Sequence, residues 1–199
     1  MTVADGFWTR PSAVVAPELL GWRLTSSSVD GTVSLVLTEV EAYAGEADPA
    51  SHAFRGPTPR NAVMFGPAGH LYVYLSYGMH WCANVTVGAD GVASAVLLRA
   101  GRVVEGVELA RCRRGVRTAD RSLARGPACL TQALGIGREH DGAYLLGGTG
   151  PLSLTNGKAP TSSSSGPRVG VSRAADVPWR YWATADPTVS AFRRSPRAG

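Results

Sequence analysis

The chain has 199 residues, 44% of them hydrophobic, and a formal net charge of +5. That length is enough to bury a real core in one domain, residues 1–199. A mean hydropathy of -0.01 fits an ordinary soluble globule. No run of about eighteen apolar residues occurs, which argues against a membrane-spanning helix. The opening Met1-Thr2-Val3-Ala4-Asp5 also lacks a basic-then-apolar secretory pattern, so a cytoplasmic protein is expected.

In chain order, Pro11 to Leu20 predicts a short helix, with Pro17 and Glu18 suited to a first turn. Thr32 to Tyr43 predicts a strand. Parity puts Val33, Leu35, Leu37, Glu39, Glu41 and Tyr43 on one face, so an aliphatic stripe turns into two acids and an aromatic. Residues 44–70 hold four prolines and several glycines and read as a long connection, a length usually reserved for function. Leu71–Ser76, Trp81–Val87 and Val92–Ala100 predict three strands joined by turns at Tyr77-Gly78-Met79 and Ala89-Asp90-Gly91, hence an antiparallel meander. Glu105–Arg114 and Pro127–Leu134 predict helices. Residues 156–167, rich in Ser and Pro, predict a flexible loop, order resumes at Arg168-Val169-Gly170-Val171, and residues 193–199 predict a frayed basic tail.

The chemistry-bearing residues gather around two of these strands. Glu39 and Glu41 support two readings: one of them salt-bridges an arginine, or one is a general base supported by the other. Tyr72 and Tyr74 share a strand face, where core packing suffices for Tyr72. Tyr77 stands before a glycine at a hairpin tip, a place where an exposed aromatic needs a partner such as a base stack. Aromatic faces beside an acid suit a pocket for a flat uncharged or cationic ring, and in a basic protein that ring is plausibly a nucleobase.

Several classes are disfavoured. His52, His70, His80 and His140 lack metal-ligand spacing, the signature of zinc deaminases is missing, and no Walker loop, dinucleotide fingerprint or G-x-S-x-G is present. No metal and no cofactor are expected. Cys82, Cys112 and Cys129 have no C-x-x-C spacing and are expected to be reduced, mostly buried thiols. Lys158 is the only lysine among 20 basic residues, so amine nucleophiles are nearly absent.

Taken together, Glu39-Val40-Glu41-Ala42-Tyr43, Thr58-Pro59-Arg60-Asn61, Met64-Phe65, Leu71-Tyr72-Val73-Tyr74, Tyr77-Gly78-Met79, Cys82-Ala83-Asn84-Val85 and Val96-Leu97-Leu98-Arg99-Ala100 resemble the alkyladenine (3-methyladenine) DNA glycosylase family. Arg125-Gly126-Pro127, Gln132-Ala133-Leu134 and Arg168-Val169-Gly170-Val171 extend the resemblance to most of the chain. It implies an α+β single domain, a curved and mostly antiparallel sheet flanked by short helices. It also implies a monomeric enzyme that flips an alkylated or deaminated purine out of double-stranded DNA and hydrolyses the glycosidic bond. Carried over by position, Glu41 would be the general base and Arg99 its helper. Tyr43, His52 and Tyr74 would line the pocket, with Asn84 at its floor. Tyr77 would fill the gap in the duplex, and Arg60 and Met79 would touch DNA. At Cys129 the chain lacks the basic residue usual in that family, and residues 181–186 depart from its usual ending. With so little lysine, a monofunctional enzyme leaving an intact abasic site is expected. A non-catalytic module that binds unstacked bases is the alternative.

Overall fold

The computed structural model describes residues 6–148 and 150–198. The chain opens with helix α1 (Ser12–Glu18) and a hairpin of β1 (Arg23–Ser28) and β2 (Gly31–Tyr43). The connection then leads to β3 (Leu71–Ser76), β4 (His80–Thr86) and β5 (Ala95–Glu105). Helices α2 (Val107–Arg114) and α3 (Pro127–Leu134) follow, and then β6 (Leu152–Thr155), β7 (Ser163–Gly166) and β8 (Arg180–Ala183). The sheet runs β3-β4-β5-β2-β1-β6, with β8 also paired to β2 and β7 to β8. Every named pairing is antiparallel, as the α+β expectation requires.

β2 is the spine. Its first half pairs with β1, but at Glu39–Glu41 that edge belongs to Arg180–Trp182 of β8. The opposite edge pairs with β5 throughout, and the register shifts on both sides of Glu39. Such irregularities bend a strand and re-aim its side chains. Here the bend separates an aliphatic half, with Val33, Leu35 and Leu37 in the main core, from a polar half that holds the two acids. β2 is covered on both faces, so Val40, Ala42 and Thr38 are buried as well as the residues of the predicted inner face. Each fully buried leucine in that core is worth roughly 1.5–3 kcal/mol. α1 packs on β2, and α3 lies against β4 and β5.

Several boundaries depart from the sequence expectations. β5 begins at Ala95 and runs to Glu105, so the following helix starts only at Val107, after Gly106 in a left-handed conformation at φ 69°. Pro17 closes α1 instead of opening it. A proline there supplies no N–H to the carbonyl one turn back, and the Tyr181 hydroxyl donates to that Ala13 carbonyl at 3.2 Å. Serine-rich residues 163–166 form β7, paired in register with Ala183–Arg180, so segment 156–167 is not an unstructured loop. Its earlier part is docked too: a Cβ on Gly21 would lie 2.1 Å from the Lys158 carbonyl oxygen. The basic tail is tied at its start, where the Gly170 amide donates to the Arg193 carbonyl and Arg194 pairs with Asp176. Of the cysteines only Cys82 is buried; Cys129 is intermediate and Cys112 exposed, and all are free thiols.

Candidate active site

The end of β2 borders a cavity of about 540 Å³. Tyr43 comes to it from β2, Tyr72 and Tyr74 from β3, Cys82 and Asn84 from β4, and Leu97 and Arg99 from β5. The long connection adds His52 and Arg60, and residues 169–172 form another part of the wall. Most of the residues singled out in the sequence are therefore brought to one place: Tyr43, His52, Arg60, Tyr74, Tyr77, Asn84 and Arg99 all border this cavity. Met79 does not. It stands at the hairpin tip, 71% exposed.

The two strand-end acids have different surroundings. Glu39 is saturated: it accepts from Arg99 Nε at 2.8 Å, Arg180 Nε at 2.7 Å, the Ser190 amide at 2.7 Å and the Ser190 hydroxyl at 2.9 Å. Burial pushes its pKa up, yet Arg99, Arg180 and the Ser190 amide more than reverse this, leaving it below the ordinary carboxylate value. Glu39 therefore fits the salt-bridge reading. Glu41 accepts from the Val169 amide at 2.7 Å and from the Tyr43 hydroxyl at 2.9 Å, with Arg99 Nη1 at 3.4 Å. It has no exposed surface of its own. It lies directly behind the cavity wall, and Tyr43, Arg99 and Val169, which hold its carboxylate, are all part of that wall.

Arg99 faces both carboxylates from a nearly buried position. Burial works against its charge, but Glu41 and Glu39 outweigh that and raise its pKa, so it stays a cation. Two buried acids would each cost several kcal/mol without such partners.

The aromatic wall is built by strand alternation. Tyr72 and Tyr74 stack at 5.5 Å and 27°, and His52 meets Tyr74 edge-on at 4.4 Å. The His52 Nδ1 and Tyr72 hydroxyl are 3.2 Å apart. Tyr72 thus serves the cavity as well as the core, which is more than the core role read for it in the sequence. Burial raises the Tyr72 pKa to about 12. Tyr43 and Tyr74 are also pushed well up, first by burial and then, for Tyr43, by Glu41 and, for Tyr74, by Cys82, so both are neutral phenols. Burial and then the nearby Arg60 charge lower the His52 pKa, favouring the neutral imidazole. The cavity is therefore lined by uncharged rings. Asn84, facing Tyr72 across the ladder, is 4% exposed and donates from Nδ2 to the Tyr72 carbonyl.

Tyr77 stands at the rim, 86% exposed and in the left-handed region at φ 50°. Arg60 donates to the Leu75 carbonyl at 3.0 Å, and its guanidinium lies 5.9 Å from the centre of the Tyr74 ring. Lys158 is elsewhere, bordering a second cavity with Gly21, Val36 and Arg102. Among the described residues no helix is long and apolar enough to cross a membrane.

Reading the sequence alone misses three members of this centre. Arg180 and Ser190 hold Glu39, and Asp48 pairs with Arg168 beneath Tyr43. The aromatic-rich Trp179-Arg180-Tyr181-Trp182 is a strand signal that could have placed Arg180. Nothing local points to Ser190 or Asp48.

The whole chain can now be set against known proteins. The methylpurine-DNA glycosylase (MPG) family pattern matches residues 6–187. A relative from Nocardia farcinica is 53% identical over a 193-position alignment that covers 93% of this chain and 91% of the relative's own length. One from Streptomyces avermitilis is 52% identical over 191 residues, 94% and 90% of the two lengths. Another, from Cutibacterium acnes, is 52% identical over 192 residues, 92% and 96% respectively. All three carry the provisional name 3-methyladenine DNA glycosylase. With an α+β fold whose β2 carries the acid pair to an aromatic cavity, and a match across nearly its full length, the chain belongs to the methylpurine-DNA glycosylase family, hydrolases of base excision repair.

Proposed function

We propose that this protein removes damaged purines from duplex DNA, with Glu41 as the general base that activates water against the sugar C1′ carbon. The observation that carries this is the setting of Glu41: a carboxylate fixed by Tyr43, Val169 and Arg99 directly behind a cavity of purine-accommodating size. An alkylated purine is cationic and a good leaving group, so the enzyme need not protonate it. What is left is a weak nucleophile, which a placed carboxylate addresses, typically for a factor of about 10²–10⁴. Neutral tyrosine faces favour a cationic ring over ordinary bases by electrostatic attraction to the π-cloud. Extrusion of the base costs a few kcal/mol and is cheapest where pairing is already weak, which adds selection before chemistry.

In this scheme Arg99 holds Glu41 and the water in place, and Tyr43, His52 and Tyr74 surround the extruded base. Asn84 lies at the floor, where the exocyclic amine of guanine would clash. Tyr77 enters the gap in the duplex from the minor-groove side, with Arg60 and Met79 against the DNA. Among the described residues no lysine lines the cavity, which supports a monofunctional reaction that leaves an abasic site.

The test is excision from duplexes that each carry one defined lesion, followed by hot alkali to break the strand at abasic sites. Wild-type protein should produce breaks at the lesion, and Glu41→Gln should not, although it should still bind a duplex with an abasic analogue. Binding without breaks by the wild type would instead indicate a non-catalytic reader of unstacked bases. Trapping of a covalent adduct with borohydride would rule out the monofunctional route.

A further inference from the structure

Asp48 and Arg168 form an ion pair in which neither side chain has any exposed surface. Nothing in the proposed reaction requires a second buried pair close to the first. Its contacts suggest why it is there. Arg168 donates to both Asp48 oxygens and to the Ala42 carbonyl at 3.0 Å, and its guanidinium lies 4.7 Å from the centre of the Tyr43 ring. Trp179 lies near the same guanidinium, at 5.2 Å. Asp48 in turn accepts from the Ala50 amide, at the start of the turn that carries His52.

The two direct hydrogen-bond donors to Glu41 both hang from this pair. One is the hydroxyl of Tyr43, whose ring the Arg168 guanidinium covers. The other is the amide of Val169, the residue next to Arg168 in the chain. The pair therefore ties together three separate stretches of chain: the end of β2, the His52 connection and the 169–172 wall. Arg168 Nε is the only buried side-chain polar atom without a partner among the described residues. An unpartnered buried donor is destabilising, so the guanidinium has been placed for the contacts on its other edge and face.

We infer that Arg168 and Asp48 are positioning residues that set the Glu41 carboxylate by fixing Tyr43 and Val169 together, an inference that rests on the role proposed for Glu41. Neither touches the reacting atoms. Their effect is indirect, through the orientation of the two donors. Lysine at 168 would keep the charge and an ion pair. It cannot at once span both Asp48 oxygens, reach Ala42 and lie flat on a ring, since it is a point charge without a planar fork.

The experiment compares Arg168→Lys and Asp48→Asn with wild type in two measurements on the full chain. One is the single-turnover excision rate at saturating enzyme. The other is the affinity and active fraction for an abasic-analogue duplex, so that rates are counted per binding-competent molecule. Each variant should lose about 10- to 100-fold in rate, the scale of an ångström-level misplacement, with affinity within about twofold of wild type. An unchanged rate, or rate and affinity falling in parallel, would overturn the inference. So would failure of both variants to give any binding-competent protein, because the pair would then hold the fold and not the carboxylate. Glu41→Gln is measured alongside: if it still excises, the role of Glu41 fails whatever Arg168 does. If it is inert while Arg168→Lys is fully active, only the positioning role fails.

Discussion

The interior of the cavity and the tip of the β3–β4 hairpin are built on opposite terms. Inside, charged and polar side chains are matched: Glu39 has four donor contacts, Glu41 has three partners, and Arg168 and Asp48 are buried together. At the tip, Tyr77 and Met79 present large side chains to solvent, 86% and 71% exposed. Groups that must act in a fixed geometry are held before any substrate arrives. Groups that must press into a partner are left uncommitted. The first region should therefore fail through loss of chemistry or stability, and the second through loss of binding alone.

The contrast is tested most strongly by the acids. Glu41→Gln should lower single-turnover excision by about 10³-fold, within the range for a general base, with binding kept. Glu39→Gln should instead cost roughly 3–5 kcal/mol in urea unfolding, because buried Arg180 would lose its counter-charge and Arg99 one of its two. A stable but inactive Glu39→Gln protein would mean that the two roles are exchanged. Next in size, Tyr77→Ala should weaken binding to a damaged duplex about tenfold, in line with ~1–3 kcal/mol for an aromatic–base stack. Its melting temperature should not move, since the side chain buries almost nothing; a large drop would make Tyr77 structural.

The smallest expected effect concerns pH. The His52 pKa lies below its ordinary 6.5, through burial and then Arg60. A depressed histidine favours the neutral form in the folded state, so its stabilising contribution is complete above the unfolded value and is lost as pH falls through the folded one. Unfolding curves should therefore show a loss as pH falls below the unfolded value of 6.5 that His52→Gln reduces. Titration of His52 by NMR in Arg60→Gln should show its pKa moving up. No movement would mean that burial alone sets it.

Some of this was legible in the sequence and some was not. The β3–β4 hairpin follows from alternation either side of Tyr77-Gly78, and the acid end of β2 stands out because acids interrupt an apolar stripe. β1 escaped because Arg23-Leu24-Thr25-Ser26-Ser27-Ser28 has the composition of a loop, and the serines of β7 were misread in the same way. In both, cross-strand partners override weak local preference. Within the site, Tyr43, His52, Tyr74 and Asn84 could be named by motif. The pairings of Arg168 and Arg180 could not, because their partners lie far along the chain: 120 residues separate Arg168 from Asp48, and 141 separate Arg180 from Glu39. In a chain with 19 arginines and one lysine, composition does not show which arginines are buried.

Ser190 has a practical consequence. The shared family pattern stops at residue 187, three positions before the residue whose amide and hydroxyl both cap Glu39. Proteolytic clipping, or a stop codon placed at that apparent boundary, would remove a piece with no helix or strand among its described residues. It would nonetheless take two donors from a carboxylate with no route to solvent. The last ten residues of this chain thus belong to its interior at one point, and shortened versions should be judged by their unfolding curves before their activity is compared.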